Sequence, residues 1–130
     1  MSNVNIKGNL GGLTEELAKF TEAEVMQATE TAAKKTAQDA VKALKAKSPK
    51  GKGRGRYASK WKAKKEDHGY IVYNEQPGLT HLLEKGHDIV RNGAKVGRAK
   101  AYPHIAPVEQ TANEEFVKNT LEELNRRLGQ

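Results

Sequence analysis

The sequence predicts an α+β fold: a small antiparallel β-sheet flanked by a long N-terminal helix and a C-terminal helix, with a short helix between strands. Three observations carry this. From Leu13 to Lys47 no Gly or Pro interrupts a run dominated by Ala, Lys, Glu and Gln, all good helix formers. Between Tyr57 and Ile105, β-branched and aromatic runs alternate with turn residues, the pattern of short strands. Near the end, Val117, Leu121, Leu124 and Leu128 recur at helical spacing before Gly129, which predicts one amphipathic closing helix.

Taken in order, residues 1–12 contain Gly8, Gly11 and Gly12 and read as a flexible N-terminus. Thr14 with Glu15 and Glu16 reads as an N-cap for a helical arm over 13–47, its acids placed where the helix dipole favours them. One continuous helix of that length would extend about 52 Å. Its apolar residues do not share one face, since Leu13, Leu17 and Phe20 form one stripe and Ala37, Ala40, Val41 and Leu44 another. Thr21-Glu22-Ala23-Glu24 fits a capping box and marks the expected break. A protruding arm used by a neighbouring subunit and a kinked helix wrapped on its own domain both fit that pattern.

Ser48-Pro49 stops the arm, because the residue before proline disfavours the α region. Residues 48–56 then alternate Gly with cations and read as a basic flexible loop. Tyr57 to Lys65 is expected to be a strand, with Ser59, Trp61 and Ala63 on one side and Lys60, Lys62 and Lys64 on the other. After a turn at 66–69, Tyr70-Ile71-Val72-Tyr73-Asn74 supplies its antiparallel partner. Glu75-Gln76-Pro77-Gly78 is turn chemistry. Leu79, Leu82 and Leu83 give a short helix near 79–85, with Gly86 as its C-cap. Asn92-Gly93 between short apolar runs signals a second hairpin. Ala101 to Ile105 is expected to return to the sheet as an edge strand interrupted by Pro103, and Pro107 suits the first turn of a helix over 107–128.

Composition limits the possible functions. A chain of 130 residues fits one domain, 1–130. Apolar residues are 36% against 30% charged, with two Phe and one Trp, so the core is small and part of the apolar surface is expected to be buried against other subunits. The absence of cysteine excludes disulfides, thiolate nucleophiles and cysteine-based zinc sites. No basic region followed by an apolar run opens the chain, and no window approaches the roughly 18 apolar residues of a membrane span. The expectation is a soluble protein, made in a cytoplasm, with no membrane partner. The net charge is +7, yet Lys45 to Lys65 holds ten of the 23 basic residues and no acid, which leaves −3 for the remainder. The basic character therefore belongs to one loop and the start of one strand.

Three constellations have functional readings. His81, His87 and His104 with Glu84 suggest a metal site, but His-x5-His matches no short metal motif. His81, His104 and Tyr73 with the loop cations supply the parts of a small ribonuclease, though no spacing joins them. The basic loop is suited to phosphate backbones or to an acidic face of a partner, and no P-loop pattern is present. The simpler expectation is that these histidines bond backbone groups and fix a structural corner, drawn from Trp61, Tyr73, Asn74, His81, Glu84, Gly86, His87, Pro103 and His104. No catalytic, cofactor-binding or metal-binding residue is assigned.

The order Lys47-Ser48-Pro49, glycine-rich basics with Tyr57 and Trp61, Val72-Tyr73-Asn74, Leu79-Thr80-His81-Leu82-Leu83-Glu84-Lys85-Gly86-His87, Asn92-Gly93 and Pro103-His104-Ile105-Ala106-Pro107 resembles the tail-completion or head–tail joining (neck) proteins of long-tailed, lambda-like bacteriophages and prophages. The resemblance runs from about Leu13 to the C-terminus, and its most specific parts are the L-T-H-L-L-E-x-G-H and P-H-I-x-P segments. It implies an α+β subunit of a ring of six copies, at the end of the tail tube or in the neck, with no enzymatic activity and no cofactor. Tail-tube and head-connector proteins would be its partners, with contact to DNA if loops face the channel. It would reside in the virion and, during assembly, in the host cytoplasm. Candidate docking residues are Lys50, Lys52, Arg54 and Arg56 in the first loop, and Arg91, Lys95, Arg98 and Lys100 around the second hairpin.

Overall fold

The structure is a computed structural model that describes residues 4–6, 20–50, 56–67 and 69–128. It has an α+β architecture with a long N-terminal helix, two small antiparallel sheets, a short helix between strands and a C-terminal helix. In chain order the elements are β1 (Val4–Ile6), α1 (Glu22–Lys47), α2 (Arg56–Ser59), β2 (Trp61–Glu66), β3 (Gly69–Asn74), α3 (Pro77–Lys85), β4 (His87–Arg91), β5 (Ala94–Ala99) and α4 (Ile105–Leu128).

The capping box sets the start of α1. Thr21 Oγ accepts from the Glu24 amide at 3.2 Å, and Glu24 Oε1 accepts from the Thr21 amide at 3.1 Å, so two otherwise orphaned N–H groups are satisfied reciprocally. The helix ends where Ser48 adopts an extended backbone ahead of Pro49. Lys50 Nζ then reaches back to the Lys45 and Ala46 carbonyls at 3.4 Å each, a cation against the negative end of the helix. The expected stretch 13–19 of the arm lies outside the described residues.

The inner face of α1 is built from Ala28, Ala32, Ala33, Thr36, Ala37, Ala40 and Leu44. Such small side chains let α4 approach closely, and α4 answers with Val108, Ala112, Phe116, Thr120 and Leu124. A buried polar pair, Asn119 Nδ2 to Thr36 Oγ at 3.1 Å, fixes the register of the two helices. The expected α4 stripe is therefore rotated by about one residue. Leu124 is buried, but Val117 and Leu121 are only half-buried, because Phe116 and Asn119 take the positions against α1. The helix also begins at Ile105, two residues ahead of the expected start, with Pro107 inside its first turn.

β1, β3 and β2 form one antiparallel sheet in that order, and α1 packs on β3 and β2 while α4 reaches β1. Two expectations are corrected here. Val4–Ile6 is a strand, paired Val4↔Val72 to Ile6↔Tyr70, because a short apolar segment can be held by an existing strand despite nearby glycines. Residues 56–59 are a helical turn, with β2 starting only at Trp61; Tyr57 and Ala58 are buried, and the Tyr57 carbonyl is taken by the Lys60 amide and the Asn74 side chain.

β4 and β5 form a separate two-stranded ribbon with a bulge between Ile89 and Val90. Asn92 and Gly93 both have positive φ, 51° and 77°, as a type I′ turn requires. The expected edge strand over Ala101–Ile105 does not form. Pro103 cannot donate to a ladder, and the Tyr102 amide goes to the Leu83 carbonyl at 2.7 Å, so this segment closes onto α3 instead of joining the sheet.

Candidate functional site

The residues around the α3–α4 junction form a buried corner. α3 turns Thr80, Leu83 and Glu84 inward, as i, i+3 and i+4 positions share a helix face. The Glu84 carboxylate then accepts the backbone amides of His104, at 2.6 Å, and Ile105, at 2.7 Å. A side chain borrowed from another helix thus satisfies the first N–H groups of α4, a place where negative charge is favoured.

His104 is the hub of the corner and its side chain is fully buried. Nδ1 lies 2.6 Å from the Tyr102 carbonyl, an acceptor only, so Nδ1 carries the proton. Nε2 is 2.8 Å from the Tyr57 hydroxyl and accepts from it. The Tyr57, Trp61 and His104 rings meet edge to face, with centroids 5.6–6.1 Å apart, in the geometry aromatic quadrupoles favour. Trp61 Nε1 donates to Ser48 Oγ at 2.8 Å, and Ser48 Oγ donates to the Leu44 carbonyl. Asn74 donates to the Tyr57 carbonyl at 2.9 Å and accepts from the Gln76 amide at 2.8 Å. Among the described residues no buried side-chain N or O lacks a partner. Burial pushes the Tyr57 hydroxyl above its ordinary range; hydrogen bonding with Thr80 opposes that shift, and the nearby Glu84 charge adds to it.

Of the expected corner residues, Trp61, Asn74, Glu84 and His104 meet here. Gly86 closes α3 with φ 75°, and a Cβ there would stand 2.6 Å from the Ala99 carbonyl oxygen, so glycine is required both by its backbone and by the close approach of β5. Tyr73 lies half-buried on β3 with Lys64 Nζ 6.0 Å from its ring centroid. His87 is half-buried at the start of β4, Pro103 is exposed, and His81 is exposed on α3. His81 is therefore not a corner residue: with Thr80 and Glu84 turned inward, its position on the helix points to solvent. Sequence reasoning missed Ser48, Tyr57 and Thr80: it makes the first a helix stop, the second a strand residue, and gives the third no role beyond lying in the short helix.

This geometry holds elements together. Both His104 ring nitrogens are occupied and sealed from solvent, so the ring has no open nitrogen for proton transfer. Among the described residues no group of three or more His, Asp or Glu is placed to hold a metal ion.

The exposed surface of the same region differs. Leu79 and Leu82 on α3, Ile89 and Val90 on β4, Val96 on β5 and Tyr102 are all exposed, with Val90 and Val96 at 59% and Tyr102 at 52%. Interspersed are the exposed cations Arg91, Lys95, Arg98 and Lys100. Asp88 pairs with Lys95 at 3.3 Å and with Arg98 at 3.1 Å, and Arg98 also donates to the Lys85 carbonyl at 3.2 Å, which ties the ribbon to the end of α3. Of the first candidate loop, Lys50 caps α1 as described, Lys52 and Arg54 lie outside the described residues, and Arg56 opens α2. No helix among the described residues is long and apolar enough to cross a membrane.

Neither a family model, nor a curated protein, nor a solved structure matches this chain.

Proposed function

We propose that this chain is a structural virion-assembly protein whose copies form a ring, of six by the resemblance, that joins or terminates a phage tail at the head–tail interface. In this reading it acts by docking on tail-tube or head-connector protein and not by catalysis, in the virion and, during assembly, in the host cytoplasm. The observation that carries it is the set of exposed large apolar side chains on α3, the β4–β5 ribbon and Tyr102. A lone two-stranded ribbon is marginal in water, and apolar residues clustered on an exposed surface mark interaction sites. A neighbouring subunit or tail protein laid on this surface would cover Val90 and Val96 and meet the four cations around them. The sealed His104 ring weighs against the ribonuclease alternative.

The test is native mass measurement of the purified protein, alone and mixed with tail-tube or connector protein. Ring-sized species or a complex are expected, and Val90→Glu with Val96→Glu should abolish them while leaving the helical circular dichroism unchanged. A protein that stays monomeric and binds neither partner would overturn the proposal, as would a salt-dependent RNA-cleaving activity lost in His81→Ala.

A further inference from the structure

A second surface lies where α1 meets the edge strand β2. The connection between Glu66 and Gly69 is two residues long, so that pair closes the hairpin with hydrogen bonds, and bonded pairs then alternate along the ladder. Lys64↔Ile71 and Lys62↔Tyr73 are the next bonded pairs, and the Glu75 amide donating to the Lys60 carbonyl at 3.1 Å fits the same alternation. The N–H and C=O groups of Trp61, Ala63 and Lys65 consequently point away from β3. Among the described residues no strand pairs with that edge.

The edge borders an open groove of about 470 Å³ between α1 and β2. Its apolar parts are Val41, Ala63 and the buried Trp61, and its cations are Lys42, Lys45 and Lys62, against one carboxylate, Asp39. The sheet presents cations on both faces at this edge. Lys65 turns toward α1, where it meets Glu30 at 3.9 Å, so Trp61, Ala63 and Lys65 share the α1 side. Lys62 and Lys64 lie on the other side. Among the described residues, Lys42 and Lys45 have no ion-pair partner, and Lys62 has only Glu75 at 4.0 Å, an exposed pair.

The geometry points to a docking site in which an extended acidic segment of a partner protein adds to β2 as a further strand, its side chains alternating between Lys42 and Lys45 on one face and Lys62 and Lys64 on the other. Unpaired strand edges accept peptides through main-chain hydrogen bonds, with side-chain pockets giving specificity. Charge selects the occupant. A second copy of β2 would set lysine against lysine, the device by which edge strands reject their own kind, whereas a segment with carboxylates at successive positions meets cations on both faces. A nucleic acid could satisfy the lysines but not the alternating N–H and C=O groups or the apolar wall. The inference goes beyond the assembly reading and does not depend on it, since the groove is complete within one subunit.

The test is fluorescence anisotropy with a short labelled peptide of alternating Glu and Val, alongside an alternating Lys and Val peptide and a single-stranded oligothymidine. The acidic peptide should bind the full chain and the basic one should not. Lys42→Glu with Lys45→Glu, both exposed positions, should weaken binding by about tenfold or more. Ala63→Pro removes an N–H that does not donate to β3 and is tolerated at an edge; it should abolish binding while leaving Trp61 fluorescence unchanged. The same peptide N-methylated on alternate amides should also fail, a result that needs no variant to fold. Absence of acidic-peptide binding, equal binding of the N-methylated peptide, or tighter binding of oligothymidine lost only in the lysine variant would each overturn the inference.

Discussion

Replacing Glu84 with alanine should uncouple α4 from α3. The wild-type carboxylate takes two backbone amides, those of His104 and Ile105, each at 3.1 Å or less from both of its oxygens, and its side chain is only 14% exposed. Hydrogen bonds to a charged group contribute about 1.5–3 kcal/mol each, and a buried donor left without a partner costs a similar amount. The helix dipole adds a fraction of a kcal/mol, so Glu84→Ala should lose about 3–5 kcal/mol, a large part of the stability of any domain of this size. Glu84→Gln keeps one acceptor and the shape but drops the charge, and should lose about 1–2 kcal/mol. Urea unfolding followed by fluorescence is the assay, because Trp61 is the sole tryptophan and its ring sits 6.1 Å from that of His104. With a slope of about 2 kcal/mol/M, the alanine midpoint should fall by about 2 M. If Glu84→Ala stays within about 0.5 kcal/mol of the wild type, as a surface substitution would, the borrowed carboxylate does not hold the start of α4 and the reasoning fails.

Tyr57→Phe strands the Nε2 atom of His104 and should cost about 1–3 kcal/mol in the same assay. Because the folded chain holds the Tyr57 hydroxyl above its ordinary value of 10.0, the unfolded chain ionises first; stability should be unchanged below that pH and fall as pH rises through it, a step absent in Tyr57→Phe. Gly86→Ala combines a positive φ with a clash against the Ala99 carbonyl and should free the β4–β5 ribbon, seen as faster amide exchange in β4 and β5 while α1 stays protected. Thr21→Ala should cost about 1 kcal/mol of helix stability by circular dichroism. The Glu24 carboxyl is held low by hydrogen bonds from the Thr21 backbone and side chain, so its contribution should be present above the ordinary carboxylate range and be lost as pH falls toward the lowered value.

Features that depend on neighbours in sequence were legible, and those that depend on distant partners were not. Thr21 with Glu24, Asn92 with Gly93, and Gly86 after the leucine-bearing turn each act within a few residues, so their chemistry is written locally. The fold class followed from such segments. Glu84 and His104 could be singled out as residue types, but their union spans 20 positions and goes through backbone amides, which no side-chain pattern advertises. Val4–Ile6 was misread because its partner, Val72 to Tyr70, is remote and the glycines near it are a local signal of the opposite kind. Tyr57 was placed in a strand because alternation with Trp61 is compatible with one; the burial of Tyr57 and the claim of Asn74 on its carbonyl override that pattern. His81 was grouped with His104 by chemistry, whereas the helix face sends one outward and the chain beyond β5 buries the other.

The borrowed cap also has a mechanical meaning. The ribbon hangs from the end of α3 through Gly86 and the Arg98 bond to the Lys85 carbonyl, and the residue just before Lys85, Glu84, grips the first amides of α4. The ribbon is thus tied at both ends, β4 to α3 through Gly86 and β5 to α4 through residues 100–104, with Glu84 clamping the two junctions together beside the most extensive contact between elements among the described residues, that of α4 with α1. A partner seated on Val90 or Val96 is therefore coupled to the helical pair itself, through the backbone on either side of the ribbon and the Glu84 clamp between them.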